Sequence, residues 1–399
     1  MKKQNFAIVS ALLILLLLPV SAIGGELSPQ EELGKAIFFD KISQPDSMSC
    51  AECHSPAVGW TGPIPGINKK GGVYRGAVPM RLGNRKPPTS AYATFSPVFH
   101  YDEEEGLFVG GNFWDGRATG EYLGNPAADQ ALGPFLNPVE QNNPDPKAVL
   151  EQIARAKYAY LWEIVYGEPI RYDTNEMVKL NYDRVGLAIA AYEASSEVNQ
   201  FSSKYDFYLK GLATLTETEA WGLILFEGKG KCAACHPSTG AEGVPPLFTD
   251  NSYDNLGVPR NPENPFYEMD EVYINGNPIN PEGAAWVDPG LGGFLETRPE
   301  WQDLAAENWG KHRVPTLRNV DKRPGKNFTK AYTHNGYFKS LKDVTHFYNT
   351  RDVEVWPAPE VPINVNRTEL GNLYLTPEEE DAIVEFLSTL SDGYEIPKN

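Results

Sequence analysis

This sequence predicts an all-α protein of two domains built on one plan and joined by long ordered loops. Three observations carry that prediction. A helix-opening pattern occurs twice, a Cys-x-x-Cys-His pentapeptide follows each copy, and each half closes with a further stretch of helical apolar spacing. Leu27-Ser28 is followed by Glu31, Gly34 and Phe38; Leu215-Thr216 is followed by Glu219, Gly222 and Phe226 at the same internal spacing. A repeat of this kind marks a duplicated structural unit.

The chain opens with Lys2 and Lys3, an apolar run from Ala7 to Leu18, and Pro19-Val20-Ser21-Ala22. These are the charged, apolar and cleavage regions of an export signal at residues 1–22. The run is short for a bilayer span, so the mature chain is expected in the periplasm with no membrane span after cleavage. Ser28 then opens a helix through a capping box, its hydroxyl serving the backbone at Glu31 while the Glu31 carboxylate reaches back. Pro29 takes the favoured first helical position. Thr216 and Glu219 repeat the device. Cys50 lies twelve positions after Phe38, and Cys232 lies six positions after Phe226. Asp183 to Ser195 closes the first half, and a helix opened by Thr376-Pro377-Glu378-Glu379, running to about Leu390, closes the second. The boundary falls near Ser202, giving domains 23–202 and 203–399. Asp145 to Tyr166 reads as one amphipathic helix with Val149, Ile153, Tyr160 and Ile164 on its apolar side. Pro245 to Asn308 shows no sustained period and reads as long loops. Strand content should be low.

The formal charge is −18, and loss of Lys2 and Lys3 would take it to −20. Such an acidic chain excludes nucleic acid and anionic membranes as natural partners and suits a basic redox partner. The 33 prolines and 36 glycines are spread along the chain, as in ordered loops rather than a linker.

Cys50-Ala51-Glu52-Cys53-His54 and Cys232-Ala233-Ala234-Cys235-His236 use all four cysteines, leaving none for a disulfide. Cys-x-x-Cys-His is the attachment pattern of a c-type haem. Two thioethers anchor one porphyrin edge, and the adjacent imidazole lies beneath the iron as its proximal ligand. A pair of zinc knuckles is the competing reading. It requires the cysteine pairs to meet and gives no reason for a histidine after each. Two covalent haem c groups are therefore expected, one in each cytochrome c-type domain.

Between the motifs lie Phe113-Trp114-Asp115-Gly116-Arg117, then Gln130, then Gly133 to Glu140, reading GPFLNPVE. Together with LGKAIFFD before Cys50, the second Cys-His-Pro segment, VPTLRN, and the run Tyr332 to Gly336, these segments resemble the bacterial di-haem cytochrome c peroxidase family over nearly the whole mature chain. The resemblance implies hydrogen peroxide reacting at the first haem with Glu140 as the distal acid–base residue. It sets Gln130 and Pro134 in the same pocket, Trp114 between the haems, and Arg318 on a haem propionate. A carboxylate within hydrogen-bond reach can take and return the proton that peroxide cleavage requires. Glu140 also suits a plain structural role, with Asn137 as N-cap, Pro138 at N1 and Glu140 at N3; the two roles are compatible. Trp114 reads equally as a buried aromatic, and Arg318 as a surface ion pair.

The ligand opposite His236 selects the subtype. In the peroxidases proper it is a methionine, fourteen residues after the histidine of the Tyr-x-His-x-Gly run. From His334 that count reaches Tyr348, the pattern of the methylamine-utilisation (MauG-type) branch; Met269 is the rival ligand. A thioether favours reduced iron and a phenolate favours oxidised iron. Tyr348 therefore suits oxidation of a protein side chain better than turnover of reduced cytochrome c. The peroxidases proper also carry a histidine that closes the resting first haem, and residues 55–89 contain none, so the first haem is expected to be open. The family's inter-domain calcium takes an asparagine from an RNxPT-like segment and two backbone carbonyls. Here the segment is Arg85-Lys86-Pro87-Pro88-Thr89, with lysine at the asparagine position, Asn84 two residues earlier, and Thr329 and Ala331 to supply the carbonyls. Hard oxygens suit calcium; the lost asparagine leaves its retention open. The leading expectation is an exported oxidoreductase that oxidises a partner protein with hydrogen peroxide. The alternatives are a cytochrome c peroxidase fed by a small redox protein, a cytochrome c or cupredoxin, and a di-haem electron carrier without catalysis. An open first haem argues against the carrier. The oligomeric state is left open, a homodimer included.

Overall fold

Both capping boxes form. Glu31 N donates to Ser28 Oγ at 3.4 Å and Ser28 N to Glu31 Oε2 at 2.6 Å; Glu219 N donates to Thr216 Oγ1 at 3.2 Å and Thr216 N to Glu219 Oε2 at 2.7 Å. The computed structural model describes residues 25–241 and 243–397; the expected export signal at 1–22 lies outside the described residues. Its helices are α1 (Pro29–Phe39), α2 (Pro65–Asn68), α3 (Pro126–Leu136), α4 (Pro146–Arg155), α5 (Ala159–Tyr166), α6 (Asn175–Ala194), α7 (Lys204–Leu209), α8 (Glu217–Glu227), α9 (Gly290–Leu295), α10 (Leu341–Thr350) and α11 (Pro377–Ser388). The strands are short: β1 (His100–Asp102), β2 (Leu107–Val109), β3 (Tyr253–Asp254), β4 (Tyr273–Ile274), β5 (Asn277–Pro278) and β6 (His312–Arg313). They pair antiparallel as β1–β2, β3–β6 and β4–β5. The protein is mostly helical, with 36% helix and 8% strand.

The repeated glycines explain the duplicated helix pairing. A Cβ on Gly34 would stand 1.8 Å from the Ala188 carbonyl oxygen, and one on Gly222 would stand 1.9 Å from that of Ala382. α1 thus presses its backbone onto α6, and α8 onto α11, at points that admit no side chain. Around the first crossing Leu33, Ile37, Phe38, Val185, Ile189 and Tyr192 form one core; around the second Phe226, Phe248, Phe347, Ile383 and Phe386 form another. Each such side chain contributes about 1.5–3 kcal/mol when fully buried. A third cluster, with Phe99, Phe108, Tyr253, Leu291 and Leu295, ties β1–β2 to β3 and α9.

Three elements differ from expectation. α6 begins at Asn175, eight residues before Asp183, because Thr174 caps it: Met177 N donates to Thr174 Oγ1 at 3.3 Å. The single helix expected over 145–166 is two, α4 and α5. Asp145 caps the first, with Ala148 N donating to Asp145 Oδ1 at 2.8 Å, and Ala156 turns to extended backbone at its end. The break rotates the face: Val149 and Ile153 are buried, Tyr160 and Ile164 are 61% and 59% exposed, and Leu161 and Trp162 take the inward positions. Within 245–308 the expected loops are punctuated by β3, the β4–β5 hairpin and α9.

Candidate active site

Each Cys-x-x-Cys-His motif occupies one short 3-10 turn, at Cys50–Glu52 after α1 and Cys232–Ala234 after α8. His54 N donates to Cys50 O at 3.0 Å and His236 N to Cys232 O at 2.9 Å, which folds each histidine back beside its cysteines. His54 Nδ1 lies 3.2 Å from Trp60 O, and His236 Nδ1 lies 2.8 Å from Phe248 O. A carbonyl only accepts, so Nδ1 carries the hydrogen and Nε2 keeps a lone pair for a metal. Burial pushes His54 down to about 4 and His236 in the same direction. Both imidazoles are therefore neutral, the form that binds iron.

The motifs open on two clefts, enclosing about 1430 and 1510 Å³ with their open mouths. Cys50, Cys53 and His54 line the first; Cys232, Cys235 and His236 line the second. Among the described residues, the only His, Cys, Asp or Glu group close enough to share an ion is Asp288, His312 and His334. The cysteine pairs do not meet, which removes the zinc-knuckle reading. A deep cleft beside a neutral imidazole and two thiols fits a haem held through its edge.

Gln130, Pro134 and Glu140 all line the first cleft. Asn137 is not an N-cap, as the sequence suggested, but the residue that ends α3, its N donating to Gly133 O at 3.2 Å. The chain then turns, with Glu140 N on Asn137 O at 3.0 Å. Glu140 caps no helix. Its Oε2 accepts from Asn137 Nδ2 at 2.9 Å. Burial raises its carboxyl above the usual glutamate value, against the opposing pull of Arg117 and Asn137. His54 is the sole histidine among the described lining residues of this cleft. Two further lining groups escaped the sequence reading. Arg117 lies 3.9 Å over the Phe113 ring and pairs with Asp115 at 2.7 Å. Glu193, on α6, is buried and pushed up to about 8 by desolvation. Its signal was present: Val185, Ile189 and Glu193 fall at i, i+4 and i+8, a carboxyl on an apolar face.

Trp114 lines both clefts. It is 8% exposed, and its Nε1 donates to Lys86 O at 2.8 Å. Its ring meets that of His334 edge-on at 6.4 Å, and His334 stacks on His312 at 3.6 Å. Arg85 joins the halves here, reaching Asp115 and Asp288 at 2.6 Å each. Burial alone would raise Asp288; Arg85 overrides it and holds the carboxyl well below the usual range.

A family model described as di-haem cytochrome c peroxidase matches residues 28–214. The methylamine utilization protein MauG of Paracoccus denitrificans is 34% identical over 400 residues, covering 94% of this chain and 93% of that protein. This chain belongs to the di-haem cytochrome c peroxidase family. The cytochrome-c peroxidase IdrP2 of Denitromonas iodatirespirans is 28% identical, covering 90% of this chain and 81% of its own. The crystal structure of the di-haem peroxidase BthA from Burkholderia thailandensis superposes with a TM-score of 0.73 at 30% identity, covering 92% of this chain and 87% of that one. Enzymes of this di-haem peroxidase family are oxidoreductases, and the family implies haem in the two clefts.

The remaining expected residues can be placed against the family pattern. Tyr348 lies on α10, whose start is capped as Asp343 N donates to Ser340 Oγ at 3.0 Å. It lines the second cleft with His236. Burial and the nearby Cys232 and Cys235 raise its phenol, and its hydroxyl finds no hydrogen-bond partner among the described residues. Met269 lines neither cleft; it is buried in a turn, its N on Phe266 O at 3.1 Å. Arg318 too lines neither cleft. Only 2% exposed, it grips Asp206 through Nη1 at 3.0 Å and Nη2 at 2.8 Å, and Pro246 O through Nε at 2.6 Å. The pair is buried, so Arg318 is not the surface pair of the alternative reading. Of the calcium candidates, Asn84 lines the first cleft and its carbonyl accepts from Asn264 Nδ2 at 2.9 Å. The Thr329 carbonyl accepts from Asn68 Nδ2 at 3.1 Å, and Ala331 is buried. Among the described residues no helix is long and apolar enough to cross a membrane.

Proposed function

We propose that this protein is a periplasmic di-haem c oxidoreductase of two domains, 23–202 and 203–399, that uses hydrogen peroxide at the first cleft to oxidise a tryptophan or tyrosine of a partner protein through the second. The observation that carries this reading is the place of Tyr348. It faces the second cleft beside Cys232, Cys235 and His236, where the peroxidases proper put methionine, while Met269 lies elsewhere. Haem, when bound in each cleft, supplies the two-electron redox chemistry that peroxide reduction requires. His54 and His236 would offer Nε2 to the irons, and Tyr348 would offer its phenolate oxygen to the second. Glu140, steadied by Asn137, takes the proton from one peroxide oxygen and delivers it to the other. Gln130 and Pro134 shape the space in which peroxide meets Glu140. Trp114, shared by both clefts, passes oxidising equivalents between them.

The test is spectroscopic. Tyr348→Phe should alter the low-spin spectrum of the second haem without loss of haem, and Met269→Leu should leave it unchanged. The reverse pattern makes Met269 the ligand and the protein a conventional peroxidase. That second reading is favoured by the relatives named cytochrome-c peroxidases. Rapid peroxide-dependent oxidation of a reduced cytochrome c or cupredoxin in steady state would select it.

A further inference from the structure

We infer that the Lys86 ammonium takes the place of the inter-domain calcium in this chain, so that the region between the clefts needs no divalent cation. The residues expected to hold calcium do not fit it. Lys86 is 9% exposed, and its Nζ donates to Thr61 Oγ1 at 3.1 Å and Pro87 O at 2.9 Å. Its backbone is pinned at the junction, N on His334 O at 2.8 Å and O under the Trp114 indole at 2.8 Å. Its side chain starts beside the segment that would lend the carbonyls: a Cβ on Gly72 would stand 3.2 Å from Ala331 Cβ and 3.9 Å from Lys86 Cβ.

One of the two candidate carbonyl oxygens is already engaged by an N–H group. The Thr329 carbonyl is taken by the amide of Asn68, itself 2% exposed and oriented by the Tyr74 hydroxyl at 3.1 Å. Between Thr329 and Ala331, Lys330 turns a second buried amine inward, its Nζ on Asn319 O at 2.8 Å and Lys322 O at 3.3 Å. Among the described residues neither amine has a carboxylate within 4.0 Å. Calcium requires six to eight oxygens with vacant lone pairs. Here a hydroxyl and carbonyls, neutral acceptors that would suit a hard cation, receive an ammonium instead. A bound ion makes a protein depend on its free concentration; a lysine cannot dissociate.

The inference is independent of whether Tyr348 ligates iron, since its test reads calcium. Elemental analysis of the desalted holoprotein should find two irons and no stoichiometric calcium per chain. EGTA should leave the haem spectra and both midpoint potentials unchanged. Lys86→Asn, which restores the asparagine, should take up one calcium in a titration with calcium chloride, and Lys86→Met should take up none. One calcium per wild-type chain, or a spectral shift on chelation, overturns the inference. Failure of a folded Lys86→Asn protein to bind calcium overturns the assignment of Lys86 as the cause. If that variant does not fold, the wild-type calcium content decides.

Discussion

On the proposed function Glu140 and Tyr348 carry the chemistry, and each makes a separable prediction. Glu140→Gln keeps the Asn137 contact and the shape but removes the proton carrier. It should slow the stopped-flow reaction with peroxide about 10²–10⁴-fold while both haems still bind. Because burial raises the Glu140 carboxyl, its basic form is reached only at a pH above the usual glutamate range. The wild-type rate should therefore rise with pH through an inflection above 4.5, and that inflection should vanish in Glu140→Gln. Tyr348→Met should raise the midpoint potential of the second haem, because a thioether favours the reduced iron. It should also increase electron uptake from a small cytochrome and abolish oxidation of a protein substrate. The two Cys-x-x-Cys-His motifs were legible because their spacing lies within a single pentapeptide. Glu140 and Tyr348 stood out only through family resemblance, for nothing local separates a catalytic glutamate from a turn residue. The pairing of Arg318 with Asp206 was not legible because the two lie 112 residues apart.

At the scale of elements, what could be read was whatever is encoded within one turn. The capping boxes at Ser28, Thr216 and Thr376 are four-residue patterns, and all three form. The break between α4 and α5 carries no glycine or proline in Ala156-Lys157-Tyr158, so no local signal announced it. β3–β6 is two residues long and set by tertiary contacts. The two glycine crossings give a direct test. Gly34→Ala or Gly222→Ala forces a methyl toward a carbonyl less than 2 Å away. Each should cost about 1–3 kcal/mol, read as a lowered midpoint in urea unfolding. Gly66→Ala, where a Cβ meets nothing within 4 Å, should be nearly neutral by comparison.

Across the whole molecule, long-range pairs do what no local pattern could disclose. Asp288 and His312 come from the loop-rich second half, yet they meet Arg85 of the first beside Trp114. Arg318 and Asp206 form a buried clasp near Tyr92 and Phe201. Arg318→Leu leaves Asp206 buried without its cation and should cost about 3–5 kcal/mol. Arg318 and Ser203 hold the Asp206 carboxyl below its usual range although burial opposes them. The stabilisation is thus present above the ordinary aspartate value and lost as pH falls through the lowered one. Acid unfolding followed by circular dichroism should show a smaller stability loss over that window in an Asp206→Asn, Arg318→Leu double variant than in wild type. The Trp114 hydrogen bond reaches further. An indole that gives up an electron becomes strongly acidic and will discharge its N–H to any base in reach. Its partner is the Lys86 carbonyl, an amide oxygen with almost no basicity. In the proposed relay the proton would stay, the charge with it, and the ring would be refilled by the next electron. A carboxylate in that position would take the proton and tie each refilling of the ring to the return of that proton, whereas this backbone oxygen suits the tryptophan to the relay proposed above.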